Sequence, residues 1–355
     1  MKVYEQKRIR DYGVKIGKLE PGKLNAITDV EGVTVGHVTL ADGDVQTGVT
    51  AVLPHQGNIF REKLIASSHV INGYGKTVGT IQIEELGTLE TPILLTNTSS
   101  IGIVADAVIK YTLEDNPEIG RSTGTVNPVV GECNDMYLND IRARSITKEH
   151  VFEAIENASI EFEEGSVGAG RGTLACSIKG GIGSASRKME MDHGTYTLGV
   201  LVQSNFGMLS DFRVNGKAVG LELRDAILNV TEERDKGSIM MIVATDLPVS
   251  AQQLNRILKR TVTGLARTGS TIGNGSGDIA LGFSTATRIP HKKPDPLLSI
   301  PSIHEADMDL AFRAVGEATE EAILNSMITA EKVVGRDGNE RPALKDLLQK
   351  FNISI

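Results

Sequence analysis

Residues 237–246 read Gly-Ser-Ile-Met-Met-Ile-Val-Ala-Thr-Asp, an apolar run that begins with Gly237 and the hydroxyl residue Ser238. Residues 239–244 are apolar at both alternating positions, which is typical of a strand that is covered on each face. A charged stretch, residues 231–236 (TEERDK), lies directly before this run and predicts an exposed segment. The sequence therefore predicts an interior strand that is entered from an exposed segment, with one layer of structure above it and another below.

Other short apolar runs bounded by Gly, Asn or Pro predict further strands. They are residues 49–53, 92–96, 198–203 and 279–283. Apolar side chains that recur every three or four residues predict two amphipathic helices. One helix carries Leu254, Ile257, Leu258, Val262 and Leu265, and the other carries Leu310, Ala314, Val315, Ala318, Ala322 and Ile323. No repeat or Pro/Ser-rich linker divides the 355 residues, so we expect one compact α/β domain over residues 1–355.

The composition excludes several classes of protein. The chain has 37 Lys and Arg against 45 Asp and Glu, and this net charge of -8 argues against binding of nucleic acid or anionic membranes. Two Cys and seven His without an H-E-x-x-H spacing predict no disulfide framework, no metal and no cofactor. The apolar runs are far shorter than the ~18 residues of a membrane span, and the first 20 residues lack the apolar core of a signal peptide. We therefore expect a soluble, cytoplasmic protein.

Three glycine-rich stretches resemble nucleotide-binding loops but do not match their spacing. Residues 73–77 (GYGKT) end like a Walker A loop, yet Val70 replaces the first required glycine and no clear strand precedes the stretch. Residues 165–172 and 273–277 do not match G-x-G-x-x-G. The chain also lacks the G-x-S-x-G motif of α/β-hydrolases. A nucleophile in this chain must therefore be presented in another way.

The Gly237–Ser238 bond lies at the mouth of the predicted strand. An N-terminal-nucleophile hydrolase needs such a bond, because glycine lets the backbone distort while the neighbouring hydroxyl attacks. Cleavage then frees an α-amine on the nucleophile itself, and this amine, with an ordinary pKa of about 7.7–8.0, serves as the general base. An ordinary loop that enters an ordinary strand has the same local sequence, so a Gly-Ser dipeptide alone does not decide between the two.

Eight motifs in a fixed order supply the missing context. They are residues 25–37 (NAITDVEGVTVGH), 70–76 (VINGYGK), 84–92 (EELGTLETP), 129–139 (VVGECNDMYLN), 179–187 (KGGIGSASR), 200–205 (VLVQSN), 238–246 (SIMMIVATD) and 275–278 (GSGD). Together they resemble the DmpA family of L-aminopeptidase/D-amino-acid esterase-amidases and β-peptidyl aminopeptidases. The resemblance covers about residues 24–330.

The resemblance implies a fold and a maturation step. The fold is a four-layer αββα sandwich that mimics Ntn hydrolases with different connectivity. The precursor cleaves itself into an α chain, residues 1–237, and a β chain, residues 238–355, which stay together. The resemblance further implies a homotetramer of αβ units, no metal, and a substrate with a free amine: a peptide or an aminoacyl amide or ester.

The resemblance also assigns roles to individual residues. Ser238 matches the nucleophile that is freed at the Gly237–Ser238 bond. Asn205, at the end of a predicted strand, matches a side-chain donor to the oxyanion. Tyr137 matches a second such donor near the scissile carbonyl. Glu132 matches the carboxylate that binds the substrate's free amine.

Two further residues match groups that contact the nucleophile. Ser276 and Asp278 match a hydroxyl and an acid that contact the nucleophile's hydroxyl and its new amine. The β-peptidyl members resemble this pattern with Glu, so Asp278 is one methylene shorter than the family's acid.

Three alternatives remain open at this point. An acyltransferase of the ornithine-acetyltransferase type would use the same kind of fold, but it is expected to present Thr rather than Ser238. A non-catalytic binding protein would use the glycine-rich loops alone. Cys133, beside Glu132, is a rival nucleophile, although neither its own motif, residues 129–139, nor the motif of residues 275–278 supplies a His as its base.

Overall fold

The computed structural model describes residues 6–226, 237–293 and 297–355, so the predicted exposed segment, residues 231–236, lies outside the described residues. The strands are β1 (Thr34–Asp42), β2 (Val45–Leu53), β3 (Glu62–Gly73), β4 (Thr88–Leu89), β5 (Ile93–Asn97), β6 (Val129–Cys133), β7 (Leu174–Ala175), β8 (Ile178–Lys179), β9 (Gly181–Met191), β10 (Gly194–Asn205), β11 (Ser238–Thr245), β12 (Gly277–Pro290), β13 (Val333–Val334) and β14 (Glu340–Arg341). The α-helices are α1 (Thr80–Leu86), α2 (Ile101–Asp115), α3 (Lys148–Glu156), α4 (Val219–Ala226), α5 (Ala251–Leu258), α6 (Thr261–Arg267), α7 (Met308–Ile328) and α8 (Leu344–Lys350).

Two sheets form the centre of the fold. One has four strands in the order β1-β2-β5-β6, and the other has six in the order β4-β3-β12-β11-β10-β9. β11 lies inside the larger sheet, antiparallel to β10 and parallel to β12. A shared apolar cluster joins the sheets face to face, with Val52 and Ile93 from the smaller sheet and Leu201 and Leu281 from the larger one.

Helices cover the outer face of each sheet. α2 and α3 pack on the smaller sheet, and α5, α6 and α7 pack on the larger one. In β11, Met240 and Ile242 point into the cluster between the sheets, whereas Met241 and Val243 point toward the helices. This arrangement confirms the αββα sandwich and the prediction that residues 239–244 are covered on both faces. Within the described ranges, no helix is both long and apolar enough to cross a membrane.

Two local features differ from the sequence prediction. The helix predicted through Leu254 and Leu265 is two helices, α5 and α6. The Thr261 hydroxyl donates to the Leu258 carbonyl oxygen at 2.8 Å and competes with the helical hydrogen bonds there. The prediction that no clear strand precedes residues 73–77 is also wrong, because β3 ends at Gly73. The helix that follows, α1, begins only at Thr80, whereas the helix of a P-loop begins at the Gly-Lys-Thr itself, so this stretch still lacks P-loop geometry.

Candidate active site

Ser238 lies where three strands of the larger sheet end together. It is the first residue of β11, and its neighbours are Asn205, the last residue of β10, and Gly277, the first residue of β12. Ser238 is 5% exposed and Asn205 is 7% exposed. The sheet topology therefore brings side chains from three separate motifs to one nearly buried point.

The Asn205 side chain is held in one orientation. Its Oδ1 accepts a hydrogen bond from the Leu174 N–H at 2.9 Å. Its Nδ2 donates toward the Ser238 Oγ at 3.5 Å. A fixed N–H beside the hydroxyl is the group that stabilises an oxyanion formed when this hydroxyl attacks a carbonyl.

Gly237 lies against the end of β10. A Cβ at this position would overlap the Asn205 carbonyl oxygen and the Phe206 Cα, so only glycine fits here. The Gly277 N–H donates to the Gly237 carbonyl oxygen at 3.3 Å. This oxygen would carry the negative charge if the Ser238 hydroxyl attacked the Gly237 carbonyl carbon, and the Gly277 N–H is positioned to donate to it. Sequence reasoning missed it, because a main-chain N–H has no side-chain signature.

Ser276 and Asp278 flank Gly277, and both are buried. The Ser276 hydroxyl donates to the Asp278 Oδ1 at 2.6 Å. Asp278 pairs with Ile239, the residue after Ser238. The Asn72 side chain anchors the turn that leads into these residues, because its Nδ2 donates to the Ser276 carbonyl oxygen and, at 3.1 Å, to that of Gly273. The structure therefore places a hydroxyl and a carboxylate beside the start of β11, and their contacts with the nucleophile's hydroxyl and amine stay a prediction.

Glu132 reaches the same region from the smaller sheet. It lies in β6, and Gly131 lets β6 approach β11 closely, since a Cβ there would lie 2.6 Å from the Met240 Cε. The Glu132 carboxylate accepts hydrogen bonds from the Lys76 N–H at 2.9 Å and from the Thr98 hydroxyl. These two donors hold the carboxylate in place, and its remaining lone pairs are available to a substrate ammonium.

The loop after β3 connects the Glu132 carboxylate to the Ser238 region. A Cβ on Gly75 would lie 3.7 Å from the Glu132 Oε1 and 3.7 Å from the Gly277 Cα. Glu132 is therefore close to the strand ends that surround Ser238, although it belongs to the other sheet. A free amine bound at Glu132 would lie near the proposed nucleophile.

Cys133 is a poor nucleophile in this environment. It is fully buried, and its Sγ lies 3.4 Å from the Gln203 carbonyl oxygen. Burial raises the pKa of the Cys133 thiol far above its ordinary value, and a hydrogen bond with Ser238 offsets only part of this effect. The thiolate is therefore scarce at neutral pH, which favours Ser238 over Cys133.

Tyr137 lies against the C-terminal part of the chain. The Arg341 guanidinium stacks over its ring at 3.7 Å from the ring centroid, and the Tyr137 carbonyl oxygen accepts a hydrogen bond from the Asn339 Nδ2 at 3.0 Å.

Of the six predicted side chains, five lie at or around the start of β11: Ser238, Asn205, Ser276, Asp278 and Glu132. The role of Tyr137 as an oxyanion donor stays a prediction.

Comparisons with known proteins show what the chain is similar to. The model for peptidase family S58 matches residues 25–341. The beta-peptidyl aminopeptidase BapA of Sphingosinicella microcystinivorans is 39% identical over 94% of this chain and 88% of its own length. The structure of the PH0078 protein of Pyrococcus horikoshii OT3 superposes with a TM-score of 0.93, at 50% identity and 98% coverage of both chains.

A third relative connects the family to the fold. The L-aminopeptidase D-Ala-esterase/amidase of Ochrobactrum anthropi has a TM-score of 0.89 at 32% identity, covering 98% of this chain and 99% of its own, and it is described as a new variant of the Ntn hydrolase fold. The fold, the motif order and the family match agree over nearly the whole chain. The chain therefore belongs to peptidase family S58, the DmpA family of aminopeptidases.

Proposed function

We propose that this aminopeptidase matures by cleaving its own Gly237–Ser238 bond and then uses Ser238 as an N-terminal nucleophile. The observation that carries this proposal is the position of Ser238 at the start of β11, with the Asn205 amide beside its hydroxyl and the Gly277 N–H on the Gly237 carbonyl oxygen. The Ser238 Oγ attacks the Gly237 carbonyl carbon, and the Ser238 nitrogen leaves with a proton. Water then hydrolyses the resulting ester, which leaves a carboxylate on Gly237 and an α-amine on Ser238.

The mature enzyme repeats this chemistry on a substrate. The Ser238 Oγ attacks the substrate's carbonyl carbon while the Ser238 α-amine takes the hydroxyl proton, and the amine then gives that proton to the leaving group. Asn205 and the Gly277 N–H stabilise the oxyanion, with Tyr137 as a further proposed donor. Water finally hydrolyses the acyl-enzyme. Ser276 and Asp278 orient the α-amine.

Intact mass tests the maturation step. Cleavage after Gly237 should divide the 38.0 kDa chain into fragments of roughly 25 and 13 kDa, as a freed N-terminal nucleophile requires. The smaller fragment should begin Ser-Ile-Met-Met. An active enzyme with an unbroken chain would overturn the proposed mechanism.

The cleaved chains should stay together, because contacts across the cut are extensive. β11 of the β chain pairs with β10 of the α chain over its whole length. Arg187 of β9 is fully buried and bonds to Glu321 of α7 at 2.6 Å, and Arg10 bonds to the same carboxylate at 2.6 Å. Buried ion pairs of this kind are costly to break, so the two chains should separate only on unfolding.

Glu132 is proposed to select substrates with a free α-amine. Replacing Glu132 with Gln keeps two hydrogen-bonding groups but removes the charge that pairs with an ammonium. We expect kcat/KM for aminoacyl p-nitroanilides to fall roughly ten- to a hundredfold, the worth of one hydrogen-bonded ion pair in a partly desolvated site.

N-acetylated versions of the same anilides are the control for this role. Wild type should cleave them poorly, and Glu132→Gln should lower that residual rate little further, because no ammonium is left to bind. Equal cleavage of free and acetylated substrates by wild type would contradict an exopeptidase mechanism, even if Ser238 remained the nucleophile.

The substrate is proposed to be a short peptide or an aminoacyl amide or ester with a free amine. We further propose a homotetramer of αβ units and a cytoplasmic location, which follow from the family resemblance and the composition. Sedimentation of the cleaved protein should give about 150 kDa, four times the 38.0 kDa of one αβ unit. A particle of 38 kDa would contradict this assembly.

A further inference from the structure

Lys179, the last residue of β8, is a fully buried lysine that the proposed mechanism does not use. Its Nζ donates to three main-chain carbonyl oxygens: Gly170 at 2.8 Å, Thr173 at 2.8 Å and Gly180 at 2.7 Å. Burial lowers the pKa of Lys179, but only the ammonium form has the three protons that three carbonyl oxygens accept, so the geometry supports the charged form. Lys179 therefore links Gly170, at the start of the segment 170–180, to Gly180 at its end through buried hydrogen bonds.

The segment that Lys179 closes is a strained hairpin. β7 pairs with β8, and Leu174 lies directly opposite Lys179. The turn between them contains Cys176 at φ 51° and Ser177 at φ 61°, two non-glycine residues in the left-handed region. Such a conformation persists only where surrounding contacts hold it. The three hydrogen bonds of Lys179 are contacts of this kind.

The hairpin is attached to the end of β10, where Asn205 lies. The Leu174 N–H donates to the Asn205 Oδ1 at 2.9 Å, and the Cys176 N–H donates to the Phe206 carbonyl oxygen at 2.7 Å. Gly180 packs closely against the same strand end, since a Cβ there would lie 2.5 Å from the Ser204 carbonyl oxygen. The position of the hairpin thus decides where the Asn205 side chain is held.

We propose that Lys179 is a positioning residue for catalysis, which closes the segment 170–180 so that the Leu174 N–H holds Asn205 with its Nδ2 toward Ser238. The inference rests on the proposed role of Asn205 as an oxyanion donor. It explains why a lysine is buried among carbonyl oxygens instead of being replaced by an apolar residue. Without its ammonium, three buried carbonyl oxygens lose a donor and the strained turn loses its support.

A double-mutant cycle on the cleaved two-chain enzyme tests this link. We expect Asn205→Ala to lower kcat about 10²–10³-fold, the usual effect of removing one oxyanion donor. Lys179→Met should lower kcat at least about tenfold with little change in KM, because only transition-state stabilisation is lost. The double variant should be no slower than Asn205→Ala alone, since Lys179 acts through Asn205.

Lys63→Met is the matched control. It removes the ammonium of Lys63, a partly buried lysine of β3 that pairs with Glu90 at 2.5 Å and lies outside the hairpin. Its effect on kcat should multiply with that of Asn205→Ala. If the Lys179→Met effect also multiplies, the positioning role is overturned while the oxyanion role stands. If Asn205→Ala has wild-type kcat, the oxyanion role itself is overturned.

Amide hydrogen exchange in the uncut Ser238→Ala chain gives a second measurement that does not depend on cleavage. Adding Lys179→Met should speed exchange at Leu174 and Cys176 at least about tenfold, because opening of the hairpin then no longer breaks the lysine's hydrogen bonds. Exchange at Ile242, in the middle of β11, should not change. Unchanged exchange at Leu174 would overturn the proposal.

Discussion

Ser238→Ala is expected to yield one uncut chain of 38.0 kDa with no measurable aminopeptidase activity. In the proposed mechanism, the substitution removes the hydroxyl that attacks Gly237, so no α-amine is released and both the nucleophile and the general base are lost. Removing a catalytic serine lowers kcat by about 10⁶-fold in a serine protease, so the residual rate here should lie below detection. Mass spectrometry and anilide hydrolysis on the same preparation measure both effects.

Cys133→Ala is the matched control for Ser238→Ala, because Cys133 is the rival nucleophile in the same site. Burial keeps the Cys133 pKa high, so its thiol contributes packing rather than attack. Cys133→Ala should therefore be cleaved into two chains and retain most of its kcat. An inactive Cys133→Ala enzyme together with an active Ser238→Ala enzyme would show that Cys133, not Ser238, is the nucleophile.

The centre of the fold was predictable because its strands are apolar on both faces. β10 shows this pattern over residues 198–202 and β11 over residues 239–244, and such a pattern is typical of a covered sheet interior. The break between α5 and α6 was not predictable from apolar periodicity. That periodicity continues past Leu258, while at the break the Thr261 hydroxyl takes the Leu258 carbonyl oxygen that a continuous helix would use.

The site was predictable only as far as side chains carry motifs. Ser238, Asn205 and Asp278 stand at recognisable positions in the sequence. The Gly277 N–H is a main-chain group, and the contact from Leu174 to Asn205 joins residues 31 positions apart. Such contacts depend on how the strands and hairpins meet, which no local pattern in this sequence records.

Family membership also decides between the alternatives that the sequence left open. Membership of a peptidase family argues against a non-catalytic binding protein. An acyltransferase of the ornithine-acetyltransferase type is expected to present Thr where this chain has Ser238. The match to peptidase family S58 over residues 25–341 agrees with the hydrolase.

Asp278→Asn should lower kcat of the cleaved enzyme by about 10²–10⁴-fold, the range that general-base catalysis supplies. Asp278 is fully buried beside the start of β11, where a carboxylate would pair with the Ser238 α-amine and orient it toward the hydroxyl. Asn keeps the size of the side chain and still accepts a hydrogen bond from Ser276. A loss of kcat would therefore result from the missing negative charge and not from a change in the shape of the turn.

The pH dependence separates this role from a structural one. A carboxylate beside the α-amine raises the pKa of that amine, because it favours the protonated form. Asp278→Asn should then lower the amine's pKa, so that the neutral amine forms at lower pH and the ascending limb of the kcat profile moves to lower pH. Asp278→Glu should keep most of the activity and a wild-type limb, since it keeps the carboxylate and lengthens the side chain by one methylene. If Asp278→Asn matches wild type in both kcat and the position of the limb, Asp278 is a turn residue and Ser276 or another group must orient the amine.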